Sequence, residues 1–182
     1  MSLLLPWERW CLLNISDFLR LIAGGLLALV SSYIGILVKN GYKEKTRIYK
    51  DLVLFTEEFK RDLSFQKTAL TDFCTSFADG KKSKIKELLQ EYVDELKKTG
   101  QFSRDVDKWS LAHLKKDEKE EVLTFLNGLG KTPTAEQISF VERSGERFKE
   151  RLKQAEENEK KKGNMFFKLF VLLGIALMVI VG

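Results

Sequence analysis

Charge is absent from Leu21 to Val38, a run of eighteen residues. It is absent again from Leu169 to Gly182. A bilayer-spanning helix needs about 17–25 apolar residues. The first run therefore predicts a transmembrane helix, extended by Phe18 and Leu19, with Arg20 snorkelling to the interface. The last fourteen residues would rise only about 21 Å as a helix, so the second span also needs Met165 to Lys168. Between the runs, apolar residues recur at spacings of three and four, and strand-like alternation is missing. Ile48, Leu52, Phe55, Phe59 and Leu63 mark one helix. Leu70, Phe73 and Phe77 mark a second, from Thr68 to Phe77, ended by Gly80. Ile85, Leu88, Leu89, Tyr92 and Leu96 mark a third, closed by Gly100. Ser103 is a candidate N-cap for a short fourth helix carrying Val106 and Trp109. Asp117 begins a fifth, with Val122, Phe125, Leu126 and Leu129 on one side and Gly130 at its end. Thr132 as N-cap with Pro133 at the first helical position opens a sixth. Its seam is Ile138, Val141, Gly145, Phe148, Leu152 and Ala155, a short heptad pattern.

The expected fold class is all-α, a six-helix cytoplasmic bundle flanked by one transmembrane helix at each end. The expected boundaries are an N-terminal extension at 1–17, spans at 18–39 and 164–182, and a helical domain at 40–163. Within the first span, Gly24, Gly25, Ala28, Ser31, Ser32 and Gly35 are small enough to let another helix approach closely. Glu156 to Lys162 is charged all round and predicts a solvated stalk leading into the second span.

Charge sets the orientation. The chain has 31 basic and 26 acidic residues, a net charge of +5. That excess is too small and too mixed for a nucleic-acid surface. Lys39, Lys43, Lys45, Arg47 and Lys50 follow the first span, and Lys160, Lys161 and Lys162 precede the second. Basic flanks stay in the cytoplasm. The middle is therefore expected in the cytoplasm with both termini outside, although Arg9 and Arg20 lie on the other flank.

Candidate chemistry is sparse. Two cysteines, Cys11 and Cys74, make neither a disulfide framework nor a metal motif. They read as free thiols, Cys74 buried and inert. His113 is the one histidine and reads as a surface or partly packed residue without a nucleophile beside it. Glu118, Glu120 and Glu121 read as a solvated helix face. Gly128-Leu129-Gly130-Lys131-Thr132 invites a phosphate-loop reading but lacks the spacing and the preceding strand; helix termination accounts for it. No catalytic residue, cofactor or metal is expected.

The layout resembles the stage III sporulation protein AB family. The resemblance is carried by Leu19-Arg20-Leu21-Ile22 opening the first span and by Ser103 to Trp109, similar to a short helix ending in Trp. It is carried further by Phe125, Leu129, Gly130 and Thr132 followed by Gln137, then Ala155 in the stalk. Met165-Phe166-Phe167-Lys168-Leu169 leads into a final span containing Gly174. Pro133 departs from the family's usual Asp, and Leu126 and Phe170 from a common Gly; residues 1–17 have no counterpart. The resemblance implies a middle domain similar to the cytoplasmic domain of type II secretion and type IV pilus platform proteins. It also implies a non-enzymatic scaffold in the channel complex between mother cell and forespore. Its expected partners are a cytoplasmic secretion-type ATPase (stage III sporulation protein AA), other channel membrane subunits and the membrane, with homo-oligomers allowed. The alternative is a membrane-tethered homodimeric adaptor in which Ile138 to Ala155 forms the dimer seam.

Overall fold

Pro6 and Pro133 are the chain's two prolines, so nothing between them is barred from a helix by a missing N–H. The computed structural model describes residues 6–81, 83–102 and 111–181, with side chains at 19 and from 22 to 180 within those ranges. All regular elements among the described residues are helical. They are α1 (Pro6–Phe65), α2 (Leu70–Asp79), α3 (Lys84–Thr99), α4 (Lys116–Gly128), α5 (Thr134–Asn158) and α6 (Asn164–Val181). A π turn, Glu159–Gly163, joins α5 to α6 without a break. The expected fourth bundle helix, Ser103 to Trp109, lies outside the described residues.

The chain divides into two compact units. One is Met1–Asn40 with Lys160–Gly182, and the other is Gly41–Glu159. The first expected span is not a separate helix: α1 passes through Asn40 and Gly41 and ends at Phe65. A glycine inside a helix costs only about 1 kcal/mol relative to Ala. The apolar series Ile48, Tyr49, Leu52 and Phe55, all buried, more than offsets that once it is packed.

The core of the Gly41–Glu159 unit is aromatic. Phe55 stacks on Phe59 at 5.7 Å and meets Phe73, Phe77 and Phe125 edge-on at 5.2–6.0 Å. Phe125 in turn meets Phe148 edge-on at 5.2 Å. Edge-to-face pairs at these distances add to simple area burial, and they tie α1, α2, α4 and α5 to one centre. Tyr92 of α3 packs edge-on against Phe102 at 5.0 Å.

Helix ends follow local chemistry, with two helix starts shifted from expectation. Thr68 does not begin α2, because its N–H and its hydroxyl both donate to the buried Asp62 carboxylate, at 3.0 and 2.6 Å. The helix starts two residues later. Ser83 caps α3, accepting from the Ile85 N–H at 3.3 Å, and its own hydroxyl donates to Asp51 of α1. Gly100 closes α3 with φ 69°, a left-handed position glycine adopts without a Cβ penalty. Pro133, expected at the first helical position, has ψ 153° and is the cap itself. Its carbonyl accepts from the Gln137 N–H at 2.9 Å, and Thr132 has another task.

Candidate functional site

Three arrangements carry the residues singled out in the sequence. The first is the contact between α1 and α6 in the first unit. A Cβ on Gly24 would stand 3.2 Å from the Met178 Cα. One on Gly35 would stand 3.0 Å from the Phe170 Cβ, and one on Gly174 would stand 3.1 Å from the Ala28 Cα. Ser31 is buried, and its hydroxyl donates to the Phe170 carbonyl at 2.7 Å. Rising residue numbers on α1 meet falling ones on α6, so the pair is antiparallel. Gly24, Ala28, Ser31 and Gly35 form its seam, as small-residue helix packing requires. Gly25 lies off the seam, where a Cβ would meet nothing within 4 Å. The Ser32 hydroxyl turns back to the Ala28 carbonyl of its own helix at 2.8 Å. Large apolar side chains face outward from both helices, among them Leu26, Leu29, Val30 and Leu37 of α1 and Leu169, Leu172, Leu173 and Val179 of α6. Both helices are long and apolar enough to cross a membrane. The eighteen residues of α6 rise about 27 Å, close to the hydrocarbon thickness of about 30 Å.

The second arrangement is the turn between α4 and α5. Leu129 leaves α4 in an extended conformation and is buried; Gly130 follows at φ 72°. Gln137, 2% exposed, spans the turn. Its Oε1 accepts from the Thr132 hydroxyl at 3.1 Å, and its Nε2 donates to the Gly128 carbonyl at 3.5 Å. A residue with both an acceptor and a donor thus ties the end of one helix to the start of the next. The Phe140 ring lies over Gly128, where a Cβ would come within 2.5 Å of it. Phe125 is buried beneath, and Ala155 is buried further along α5. The Gly-Leu-Gly-Lys-Thr stretch is spent on ending one helix and joining the next. Trp109 lies outside the described residues.

The sequence profile of the stage III sporulation protein AB family matches residues 20–181. The chain belongs to the stage III sporulation protein AB family. Its role therefore lies in stage III of sporulation. No curated protein and no solved structure matches it. In this family member, four of the residues that carried the resemblance, Leu129, Gly130, Thr132 and Gln137, belong to one hydrogen-bonded turn.

The third arrangement corrects the sequence reading. Of the acidic run on α4, only Glu120 is solvated as expected; Glu118 is 5% exposed and Glu121 is half-buried. The Lys45 ammonium of α1 donates to both Glu118 oxygens, at 2.6 and 2.7 Å. The Lys115 N–H donates to Glu118 at 2.8 Å. Arg151 of α5 donates to Glu121 at 3.0 Å and lies 3.9 Å from Glu118. A buried carboxylate is tolerated when paired and hydrogen-bonded in this way. The signal available in the sequence was Glu118 three residues after Lys115, the reach-back position of a helix start. Above this cluster the Tyr49 hydroxyl is buried without a hydrogen-bond partner. Burial, with Glu118 nearby, raises its pKa and keeps it neutral.

Cys74 is fully buried, and burial pushes its thiol up to about 12. His113 is exposed. Among the described residues no three His, Cys, Asp or Glu side chains gather as a metal site. The α5 seam offered to a second copy is largely occupied inside the chain, with Ile138 and Leu152 half-buried. Phe148 packs on Tyr49 and Phe125, a Cβ on Gly145 would stand 2.9 Å from the Thr56 hydroxyl, and Val141 and Ala155 are buried.

Proposed function

We propose that this chain is a membrane platform of the mother cell–forespore channel. In this reading the paired helices anchor it, and the Gly41–Glu159 unit is a cytoplasmic docking body for a secretion-type ATPase. The chain itself is a scaffold without catalysis, and both termini lie outside the cytoplasm. The observation that carries the reading is the antiparallel seam between α1 and α6. Because the pair is antiparallel, Lys39 and Lys160 leave it at the same end, and everything between them emerges on one side of a bilayer. Those exits are lysine-rich, and lysine-rich flanks are retained in the cytoplasm. The dimeric adaptor is the weaker reading, since most of its seam is already covered by α1 and α4.

The test is a tagged pull-down of the full chain from solubilised membranes of sporulating cells, read by mass spectrometry. The platform reading expects stage III sporulation protein AA together with other membrane subunits of the channel. Recovery of the chain alone, or only of further copies of itself, sinks it.

A further inference from the structure

The basic end of the α1–α6 pair sets the lysines that orient the anchor beside exposed apolar side chains of both helices. Residues 18–40 and 160–182 contain no Asp or Glu, and the acidic residues Glu156, Glu157 and Glu159 end just before the lysines begin. Their basic residues are Arg20, Lys39, Lys160, Lys161, Lys162 and Lys168. All but Arg20 fall where the two helices part. The Lys39 ammonium of α1 stands 5.5 Å from the centroid of the Phe167 ring of α6, which holds it beside the other helix. Lys160, Lys161 and Lys162 occupy the π turn and are exposed, as is Lys168. Three consecutive helical residues cannot share a face, so the triplet fans out around the turn while Gly163 behind it is buried. Immediately beside this collar, Ile36, Leu37 and Leu169 are exposed.

We infer that this end binds an anionic phospholipid, its acyl chains on the exposed leucines and its phosphate beside Lys39, Lys160 and Lys168. The assignment rests on the membrane reading above. Cationic groups from two helices, with an apolar wall on one side, meet both halves of such a lipid. Basic pockets between spans recognise anionic headgroups in this way. A zwitterionic headgroup carries its own ammonium, which competes with the lysines. Because lysine binds as a point charge rather than a fixed fork, the preference is for charge and falls with salt.

The experiment uses the full chain and vesicles of phosphatidylcholine, with or without phosphatidylglycerol of the same acyl chains. Flotation with both vesicle types reports insertion. Failure to float with either overturns the membrane reading and this inference together. In detergent, labelled phosphatidylglycerol should bind at least tenfold tighter than labelled phosphatidylcholine. The K160Q/K161Q/K162Q variant should lose about tenfold or more of that preference, and K168Q about fivefold, given the usual worth of one lysine near an anionic surface. If the triple variant fails to fold, K39Q with K168Q serves in its place, since neither lies in the π turn. A chain that floats normally but binds both lipids equally, or variants that keep the preference, overturns the lipid site while the membrane reading stands. Displacement of the lipid by polyglutamate at micromolar concentration would assign the collar to an acidic protein and likewise overturns it.

Discussion

Gln137 is the clearest case of one side chain holding two elements. Replacing it by Ala leaves the Thr132 hydroxyl and the Gly128 carbonyl without their partner. A buried polar group left unmatched costs about 1–3 kcal/mol. Gln137→Ala should therefore lower the melting temperature of the full chain in detergent by several degrees, followed by circular dichroism. An unchanged melt would mean water replaces the amide at no cost. Cys74 makes a different prediction. Its thiol stays protonated until about pH 12, against an ordinary value of 9.0, because burial disfavours the thiolate. Between those limits the unfolded chain loses a proton that the folded chain keeps. Stability contributed through Cys74 therefore falls as pH rises through that window. At pH 8, iodoacetamide should leave Cys74 unlabelled in the native chain and label it after denaturation, as read by peptide mass spectrometry.

At the scale of the helix, the two adjacent glycines of α1 have opposite roles. Gly24 faces the Met178 backbone and Gly25 faces open space. Gly24→Leu forces a side chain into packed backbone, which costs about 1–3 kcal/mol, and should lower the melting temperature. Gly25→Leu should leave the melting temperature unchanged, because it touches nothing within the chain. If Gly25 instead meets another channel subunit, Gly25→Leu should weaken co-purification of that subunit while stability is kept. Equal melting temperatures for the two variants would refute the seam.

For the whole molecule, the testable quantity is sidedness. The antiparallel pair and its lysine-rich exits predict that a reporter active only outside the cytoplasm is active when fused at either terminus, and silent when inserted at Gly100. Activity at the Gly100 insertion would reverse the topology. The helical unit should withstand such insertions poorly at the α4–α5 turn. There Gly130 needs its left-handed backbone and Gln137 its two partners.

Element type was legible from the sequence because a helix repeats every 3.6 residues, and one apolar face leaves that period in any buried stripe. Ile48 to Phe59, Ile85 to Tyr92 and Val122 to Leu126 all kept the faces their spacing predicted. The uncharged runs were legible for the same reason, since length and lack of charge are local properties. Which surfaces meet was not legible. Gly24 and Gly25 are identical in sequence terms, and only the position of Met178 separates them. Glu118 and Glu120 look alike beside their lysines, and only Lys45, 73 residues away, makes one of them a buried anchor. Thr68 and Thr132 looked like helix starts, but Asp62 and Gln137 held them in other hydrogen bonds. Local periodicity determined the helices; distant partners, brought close only by folding, decided which groups on them are buried, paired or free to meet something else.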